Sequence, residues 1–378
     1  MMRQPKGTDV LVIGAGVNGL ATAWRLAQAG ARVTLLERGP VARESSWAGA
    51  GILELLLPWH YPAAVARLAV LGQRLWPQWI AQLEAATGLD AQYRVSGLLV
   101  AGPVETDAAG DWARRYGRRL LPVPADLVAA ASPLADEYAR GLWLPEAAQV
   151  RNPRLARLIE SALRAAGVAV HPHTPVMRLV SAQGRIVGVE TPAGRYTAAQ
   201  VVVCAGAWSG RLLSGLAAGL PIRPVRGQIL LLAGSPGLLP CILWRAGRYL
   251  VPRADGLVLV GSTLEEAGFD KSTTAEAAAE LLAFAHAAWP PLRKAAPVRQ
   301  WAGLRPAAPG NVPIIAPHPQ IANLWLNAGH FRYGVTMAPA AAELLAAQML
   351  GGPPPLDPAP YAWPAGMRDE PFRQGEVT

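Results

Sequence analysis

A chain of 378 residues with 52% hydrophobic and 16% charged side chains can bury one large or two ordinary cores, which excludes disordered and fibrous classes. Two cysteines, Cys204 and Cys241, exclude a disulfide scaffold and a four-thiolate metal site, and they make a cytoplasmic protein the default expectation. The net charge of +9 would suit an anionic partner, yet the basic residues are spread singly and the densest cluster, at 114–119, reads as the solvated face of a surface helix, so nucleic-acid binding is not expected.

Residues 9–13 form a short β-branched run ending in glycine, and Leu20, Ala23, Trp24 and Ala27 recur at helical spacing before Gly30. Residues 31–37 are a second strand, so the chain opens with a βαβ unit, the start of a doubly wound parallel sheet. The Gly- and Ala-rich segment 41–61 has no long period and marks a functional loop or a closely packed helix start. An amphipathic helix over 62–90 ending at Gly88, a strand over 92–101, a helix over 153–166 and a strand over 168–171 follow. Between 175 and 206, short alternating strands with turns at Gln183-Gly184 and Ala193-Gly194 predict an antiparallel meander that returns to the parallel sheet at residue 201. More strands fall within 221–262 and an Ala-rich helix over 273–289. The last unit is a strand at 324–327, a turn at 328–330 and a helix over 339–350, before an irregular tail. The polar start and early glycines argue against a leader, and prolines and asparagines throughout 306–331, the longest uncharged stretch, argue against a membrane span. An α/β fold is predicted in which a Rossmann-like dinucleotide-binding domain (1–90, 145–220 and 295–352) is interleaved with an α+β substrate domain built on an antiparallel sheet (91–144 and 221–294). A Pro/Gly-rich tail covers 353–378.

Gly14-Ala15-Gly16-Val17-Asn18-Gly19 follows a strand and opens a helix, so backbone can approach a pyrophosphate at the helix N-terminus. Glu37, at the end of the second strand, suits ribose hydroxyls and disfavours a 2′-phosphate. These features leave FAD and NAD both open. The next segment, Glu44-Ser45-Ser46-Trp47-Ala48-Gly49-Ala50-Gly51-Ile52-Leu53, followed by Leu57-Pro58-Trp59-His60-Tyr61, resembles the D-amino acid oxidase family of flavoproteins, and within it the glycine oxidases linked to thiamine biosynthesis. Arg248-Tyr249-Leu250-Val251-Pro252-Arg253, Gly303-Leu304-Arg305-Pro306 with Asn311-Val312-Pro313-Ile314-Ile315, and Gly329-His330-Phe331-Arg332-Tyr333-Gly334-Val335-Thr336 resemble further segments of the same family. The resemblance covers residues 8–350.

The resemblance implies a non-covalent FAD, since no cysteine occurs at 303–320 for a thioether. Its site would comprise Gly14, Gly16, Val17, Asn18, Gly19, Glu37, Arg38, Ser45, Ser46, Ala50, Gly51, Ile52, Val176, Ala205 and Gly206, with the C-terminal segment His330, Phe331, Arg332, Tyr333, Gly334, Val335 and Thr336. It also implies that Arg305, assisted by Tyr249 and Arg332, holds the carboxylate of a small amino acid, for which a guanidinium's parallel donors are well matched. Glycine, sarcosine or D-alanine would be oxidised to the imine, O2 reduced to H2O2, and the product used in thiazole assembly. No metal and no catalytic side chain beyond the flavin is required. A quinone-linked D-amino acid dehydrogenase and a non-catalytic flavin-binding subunit are the alternatives, and an assembly of identical copies is left open. Hydrolase and zinc readings lack a Gly-x-Ser-x-Gly, a His-Glu-x-x-His and paired cysteines.

The chain departs from the resemblance at Glu54, Leu55, Leu57, His60 and Tyr333. The bulk of Leu55, Leu56, Leu57, Trp59 and Tyr61 predicts a wall around a small pocket, with the placement of Glu54 deciding what its charge does.

Overall fold

β1 (Val10–Ile13) and β2 (Val33–Leu36) pair in parallel from Val10↔Val33 to Ile13↔Leu36, and α1 (Val17–Gln28) crosses between them with Leu20, Ala23 and Trp24 buried. Both strands are covered on both faces, which is why they read as continuous apolar runs rather than alternating ones. The computed structural model describes residues 8–216 and 220–363; residues 1–7 and 217–219 of the expected dinucleotide-binding domain and most of the expected tail lie outside them.

After β2 come one helical turn, α2 (Ser45–Ala48), and the 25-residue α3 (Ala63–Thr87), closed by Gly88 in the left-handed region at φ 70°. The strand expected over 92–101 is two pieces, β3 (Arg94–Val95) and β4 (Leu98–Val100). Gly97 separates them at φ 68°, lying flat under the Trp143 ring, where a side chain would collide. Then follow α4 (Thr106–Tyr116), α5 (Ala125–Ala130), α6 (Ala135–Ala139), β5 (Leu142–Leu144), β6 (Ala148–Gln149), α7 (Asn152–Ala165) and β7 (Ala169–His171). The meander is present as β8 (Arg178–Ala182), β9 (Arg185–Thr191) and β10 (Gly194–Tyr196), and β11 (Gln200–Val203) rejoins β1 in parallel. The remainder is α8 (Ser209–Leu212), β12 (Arg223–Ala233), β13 (Ile242–Arg245), β14 (Arg248–Pro252), β15 (Leu257–Gly261), α9 (Ala275–Ala288), β16 (Ala296–Ala307), β17 (Ile314–Pro317), β18 (Leu324–Ala328) and α10 (Gly334–Leu350).

Two sheets dominate. The six-stranded sheet has the order β17-β18-β11-β1-β2-β7 and is parallel except for β17 at its edge. The seven-stranded sheet, β16-β12-β15-β14-β13-β4-β5, is antiparallel except where β4 meets β13. This is the α/β architecture expected. β16, expected within the last dinucleotide-binding block, instead pairs with β12 of the antiparallel sheet, from Arg223↔Ala307 to Ala233↔Ala296.

α1, α3, α7 and α10 share one core on one face of the parallel sheet, and a second core lies on its other face, beneath the meander. α10 begins at Gly334 rather than at Pro339, so a proline sits inside its second turn. The Val335 carbonyl, deprived of its helical donor, accepts instead from Trp76 Nε1 at 3.0 Å, which removes most of the objection to that proline. The described part of the tail docks on the body: the Tyr361 hydroxyl donates to the Ala64 carbonyl at 2.7 Å, and Trp363 meets the His318 ring at 4.7 Å.

α3 and α10 touch backbone to backbone at Gly72, where a Cβ would collide with the Thr336 carbonyl. Helix propensity alone would favour Gly72→Ala by about 1 kcal/mol. The collision reverses the sign, and the variant should lose roughly 1–3 kcal/mol in urea denaturation, the usual range for overpacking; an unchanged or raised midpoint would refute the close approach.

Candidate functional site

The turns after β1, β2, β7, β11 and β18 open on one cavity of about 440 Å³, which extends from the carboxyl edge of the parallel sheet to the face of the antiparallel one. At its first end, Gly14 has φ 102° and a Cβ there would fall 2.5 Å from the Cys204 carbonyl oxygen, so only glycine allows the turn. Val17 N–H, at the start of α1, donates to Ser46 Oγ at 2.8 Å. Ala15 N–H donates to Glu37 Oε2 at 2.7 Å and Gly39 N–H to Glu37 Oε1 at 3.0 Å, while burial raises the Glu37 pKa above its ordinary value.

The middle wall is the strip 45–52. Gly51, at φ 72°, lies against the Val150 carbonyl, and the Gly51 carbonyl accepts from Val150 N–H at 2.8 Å. On the far side Ser45 Oγ donates to the Leu304 carbonyl, and Ala48 sits over Gly303. Arg253, 8% exposed, clamps the strip from behind: Nη1 donates to Gln149 Oε1 at 2.8 Å and to the Val150 carbonyl at 2.9 Å, Nη2 to the Ala50 carbonyl at 2.6 Å. Burial, then the nearby cations Arg151 and Arg94, pulls its pKa down to about 9, still above neutral pH, so the guanidinium that makes these bonds stays charged.

At the other end β16 carries Arg305. Its guanidinium folds across Gly227 of the neighbouring strand, in space that any side chain would fill. Nη2 donates to Ser262 Oγ at 2.6 Å and Nη1 to the Thr263 carbonyl at 3.2 Å. Tyr249 of β14 lies likewise over its cross-strand partner Gly261. Burial, then the nearby charge of Arg332, lowers the Arg305 pKa to about 10. Among the described residues neither Arg305 nor Arg332 forms an ion pair with a carboxylate, and Arg332 Nε is buried with no partner. Two more partnerless buried atoms belong to residues lining the cavity, Asn18 Oδ1 and His330 Nδ1. His330 gives its other ring nitrogen to Asn327 Oδ1 at 2.8 Å, and burial lowers its pKa to about 3, so it is a neutral group rather than an acid.

A model of the DAO family, FAD-dependent oxidoreductases, matches residues 9–348. The chain belongs to this family. It is 45% identical over 359 residues to glycine oxidase of Pseudomonas aeruginosa, covering 94% of this chain and 98% of that protein. It is 34% identical over 349 residues to the bifunctional protein ThiO/ThiG of Trichormus variabilis, covering 89% of this chain and 52% of that protein. The crystal structure of glycine oxidase from Geobacillus kaustophilus matches with a TM-score of 0.88 at 27% identity, over 95% of this chain and 99% of that one. The protein is thus a FAD-dependent amino acid oxidase by family.

The residues present fit the family's cofactor. The side-chain-free turn at the start of α1, the glycine-lined strip and the three partnerless polar atoms form a cradle that offers donors and acceptors to a long, flat, partly anionic ligand. Gly14, Gly16, Val17, Asn18, Glu37, Arg38, Ser45, Ser46, Ala50, Gly51, Ile52, Val176, Ala205 and Gly206 all line the cavity, as do His330, Phe331, Arg332, Tyr333, Gly334 and Val335. So do Arg305 and Tyr249. Gly19 and Thr336 do not. Gly19 lets α1 press on the Gly14 carbonyl, and Thr336 Oγ1 braces the strip from outside by donating to the Ile52 carbonyl at 3.1 Å.

Sequence reasoning missed Gly227, Ser262, Trp208 and Arg211, all of which line the cavity. Arg38 stacks on the Trp208 ring at 3.6 Å, and Trp208 in turn meets Phe269, between β15 and α9, at 5.4 Å. A glycine two residues before the apolar run of β12 was a usable signal for Gly227; the others sit in segments without pattern.

The expected wall of large side chains is corrected. Of the five, Leu56 lines the cavity, whereas Leu55 and Tyr61 pack in the core beneath, Leu57 packs in a cluster with Leu98, Val100 and Leu144, and Trp59 packs beside Val70 and Trp112. His60 points outward to Glu105 at 2.5 Å. Glu54 borders the cavity, but its carboxylate is taken up by protein groups: fully buried, it accepts from Leu55 N–H at 2.9 Å, Gln73 Nε2 at 2.5 Å and Arg118 Nη2 at 2.8 Å. Arg118 therefore leaves the solvated cluster expected at 114–119, with 12% of its side chain exposed and Glu146 as a second partner at 3.2 Å.

Burial raises the Glu54 pKa above its ordinary 4.5 even beside Arg118. A group whose folded pKa is raised stabilises the fold below its unfolded pKa and loses that contribution as pH rises through the folded one. Arg118→Met should cost about 3–5 kcal/mol at neutral pH, and the deficit should shrink as pH falls towards 4.5 and Glu54 takes up a proton. Urea denaturation at several pH values checks this; a deficit independent of pH would show that Glu54 is not the ion left uncompensated.

Proposed function

We propose that the chain oxidises glycine or another small amino acid, such as sarcosine or D-alanine, in the cytoplasm, with O2 as the electron acceptor and thiazole assembly as the use of its product. The observation that carries the reading is Arg305, a cation folded over Gly227 beside Tyr249 and Arg332 with no carboxylate of its own. A carboxylate entering between these groups supplies the missing charge, and the planar fork holds it at two points, which fixes the direction of the α-carbon. When bound, FAD supplies the two-electron acceptor for the amine carbon. The chain supplies orientation and a dry enclosure: Leu56, Ile229 and Tyr249 border the carboxylate end, and neutral His330 adds no charge that would compete with Arg305. The named relatives support the substrate class, and the ThiO/ThiG relative supports the place of the product.

Arg305→Ala should lower kcat/KM by about 30- to several-thousand-fold, corresponding to the loss of a buried charge pair worth roughly 2–5 kcal/mol. Flavin content should persist, and Arg305→Lys should recover little because an ammonium cannot make the two-point fork. Wild-type kinetics in Arg305→Ala would remove the carboxylate role from this residue. In the wild type, kcat/KM for glycine or sarcosine should exceed that for D-phenylalanine by at least about tenfold, with peroxide formation as the readout. Equal rates would overturn the small-substrate reading, and dye reduction without oxygen uptake would make the enzyme a dehydrogenase.

A further inference from the structure

Tyr61 and Tyr333 meet hydroxyl to hydroxyl at 2.5 Å, with rings nearly perpendicular and centroids 5.1 Å apart. Both residues are buried, at 8% and 4% exposure, but only Tyr333 lines the cavity. The Tyr333 oxygen also accepts from Leu56 N–H at 3.3 Å, whereas among the described residues the Tyr61 hydroxyl has no partner except Tyr333.

A phenol has one proton to donate and lone pairs with which to accept. If Tyr333 donated to Tyr61, the Tyr61 proton would be left in the core without an acceptor, the arrangement that buried polar groups avoid. If Tyr61 donates, every polar group behind Tyr333 is satisfied: its lone pairs take Tyr61 and Leu56, and its own proton is the one hydrogen-bonding element left over. That proton sits on a ring lining the same cavity as Arg305 and Arg332, near enough for the charge of Arg332 to act on both phenols. Burial keeps the Tyr333 phenol protonated well above its ordinary range, so it stays a donor at any working pH.

We propose that Tyr333 is a dedicated donor to the substrate carboxylate, committed to that role by Tyr61 and the Leu56 amide, which occupy its accepting side. The proposal rests on the reading that Arg305 marks the carboxylate position. It makes Tyr333 a contact to the substrate rather than to the flavin, and it excludes the substrate ammonium, which needs an acceptor, as the partner.

Acetate, a carboxylate without an amine, is the probe. Its dissociation constant is read from the perturbation of flavin absorbance in the holoenzyme, alongside KM and kcat for glycine. Tyr333→Phe keeps the ring and should weaken acetate and raise the glycine KM by about tenfold or more, the fold-change of a hydrogen bond to a charged group, with kcat changed by only a few-fold. Tyr61→Phe, with the Tyr333 ring untouched, should weaken acetate in the same direction and by less. Arg305→Met separates the two ideas. If it weakens acetate while Tyr333→Phe does not, the Tyr333 proposal is overturned and the carboxylate reading stands; if neither weakens acetate, both fall. A raised glycine KM with unchanged acetate affinity in Tyr333→Phe also overturns it, since the donor would then serve another group. Should Tyr333→Phe fail to retain flavin, Tyr61→Phe decides alone, and wild-type acetate affinity there counts against the proposal.

Discussion

The strip 45–52 lies between two domains at distances that only bare backbone permits, and the whole site depends on that approach. Gly51 rests on the Val150 carbonyl on one side, and Ala48 rests on Gly303 of β16 on the other. A Cβ at Gly51 would collide with the Val150 carbonyl and one at Gly303 with Ala48, so β16 could not keep its approach to the strip, and Arg305, two residues along β16 from Gly303, would move with it. Arg253 then holds the strip from behind through the Ala50 and Val150 carbonyls. One cavity can therefore have a dinucleotide turn at one end and a carboxylate-binding arginine at the other.

The charges around that cavity are arranged unequally. Arg253 has its hydrogen bonds to neutral oxygens and Arg305 to a hydroxyl and carbonyls, while Arg332 keeps a buried nitrogen without a partner. Of the three glutamates at the lining, Glu54 is turned into a closed cluster with Gln73 and Arg118, and Glu44 is paired with Arg38 and Lys271. Keeping cations poorly matched in a low-dielectric site costs the ligand-free fold stability, and an anionic ligand restores it, so affinity and marginal stability share one origin. The acid nearer the cofactor end, Glu37, is satisfied by two backbone amides and so leaves the positive field at the far end undisturbed.

Local pattern was enough to read the βαβ opening, the meander, the Ala-rich helix and the return to the parallel sheet at residue 201, because each follows from periodicity and turn residues alone. It failed where a distant group changed the local rule. The helix α10 starts before its proline because Trp76, on α3, satisfies the carbonyl that Pro339 frees. The strand over 92–101 breaks because Trp143 covers Gly97. Arg118 left the surface because Glu54 needed a counter-ion, and neither residue marks the other in sequence.

The amino-acid sequence by itself determined the fold class and the dinucleotide turn with Glu37, since glycine spacing and periodicity are properties of the residues themselves, and its resemblance to the D-amino acid oxidase family singled out Arg305, Arg332 and Tyr249. Only the tertiary structure decided which sheet owns β16, that Gly227 and Gly261 make room for Arg305 and Tyr249, that Trp59 and Tyr61 face the core rather than the pocket, and that Tyr61 governs which way Tyr333 donates. The physical reason is common to all four: each depends on a cross-strand register or a hydrogen-bond partner from elsewhere in the chain, and a register or a partner has no local signature in the residues that it positions.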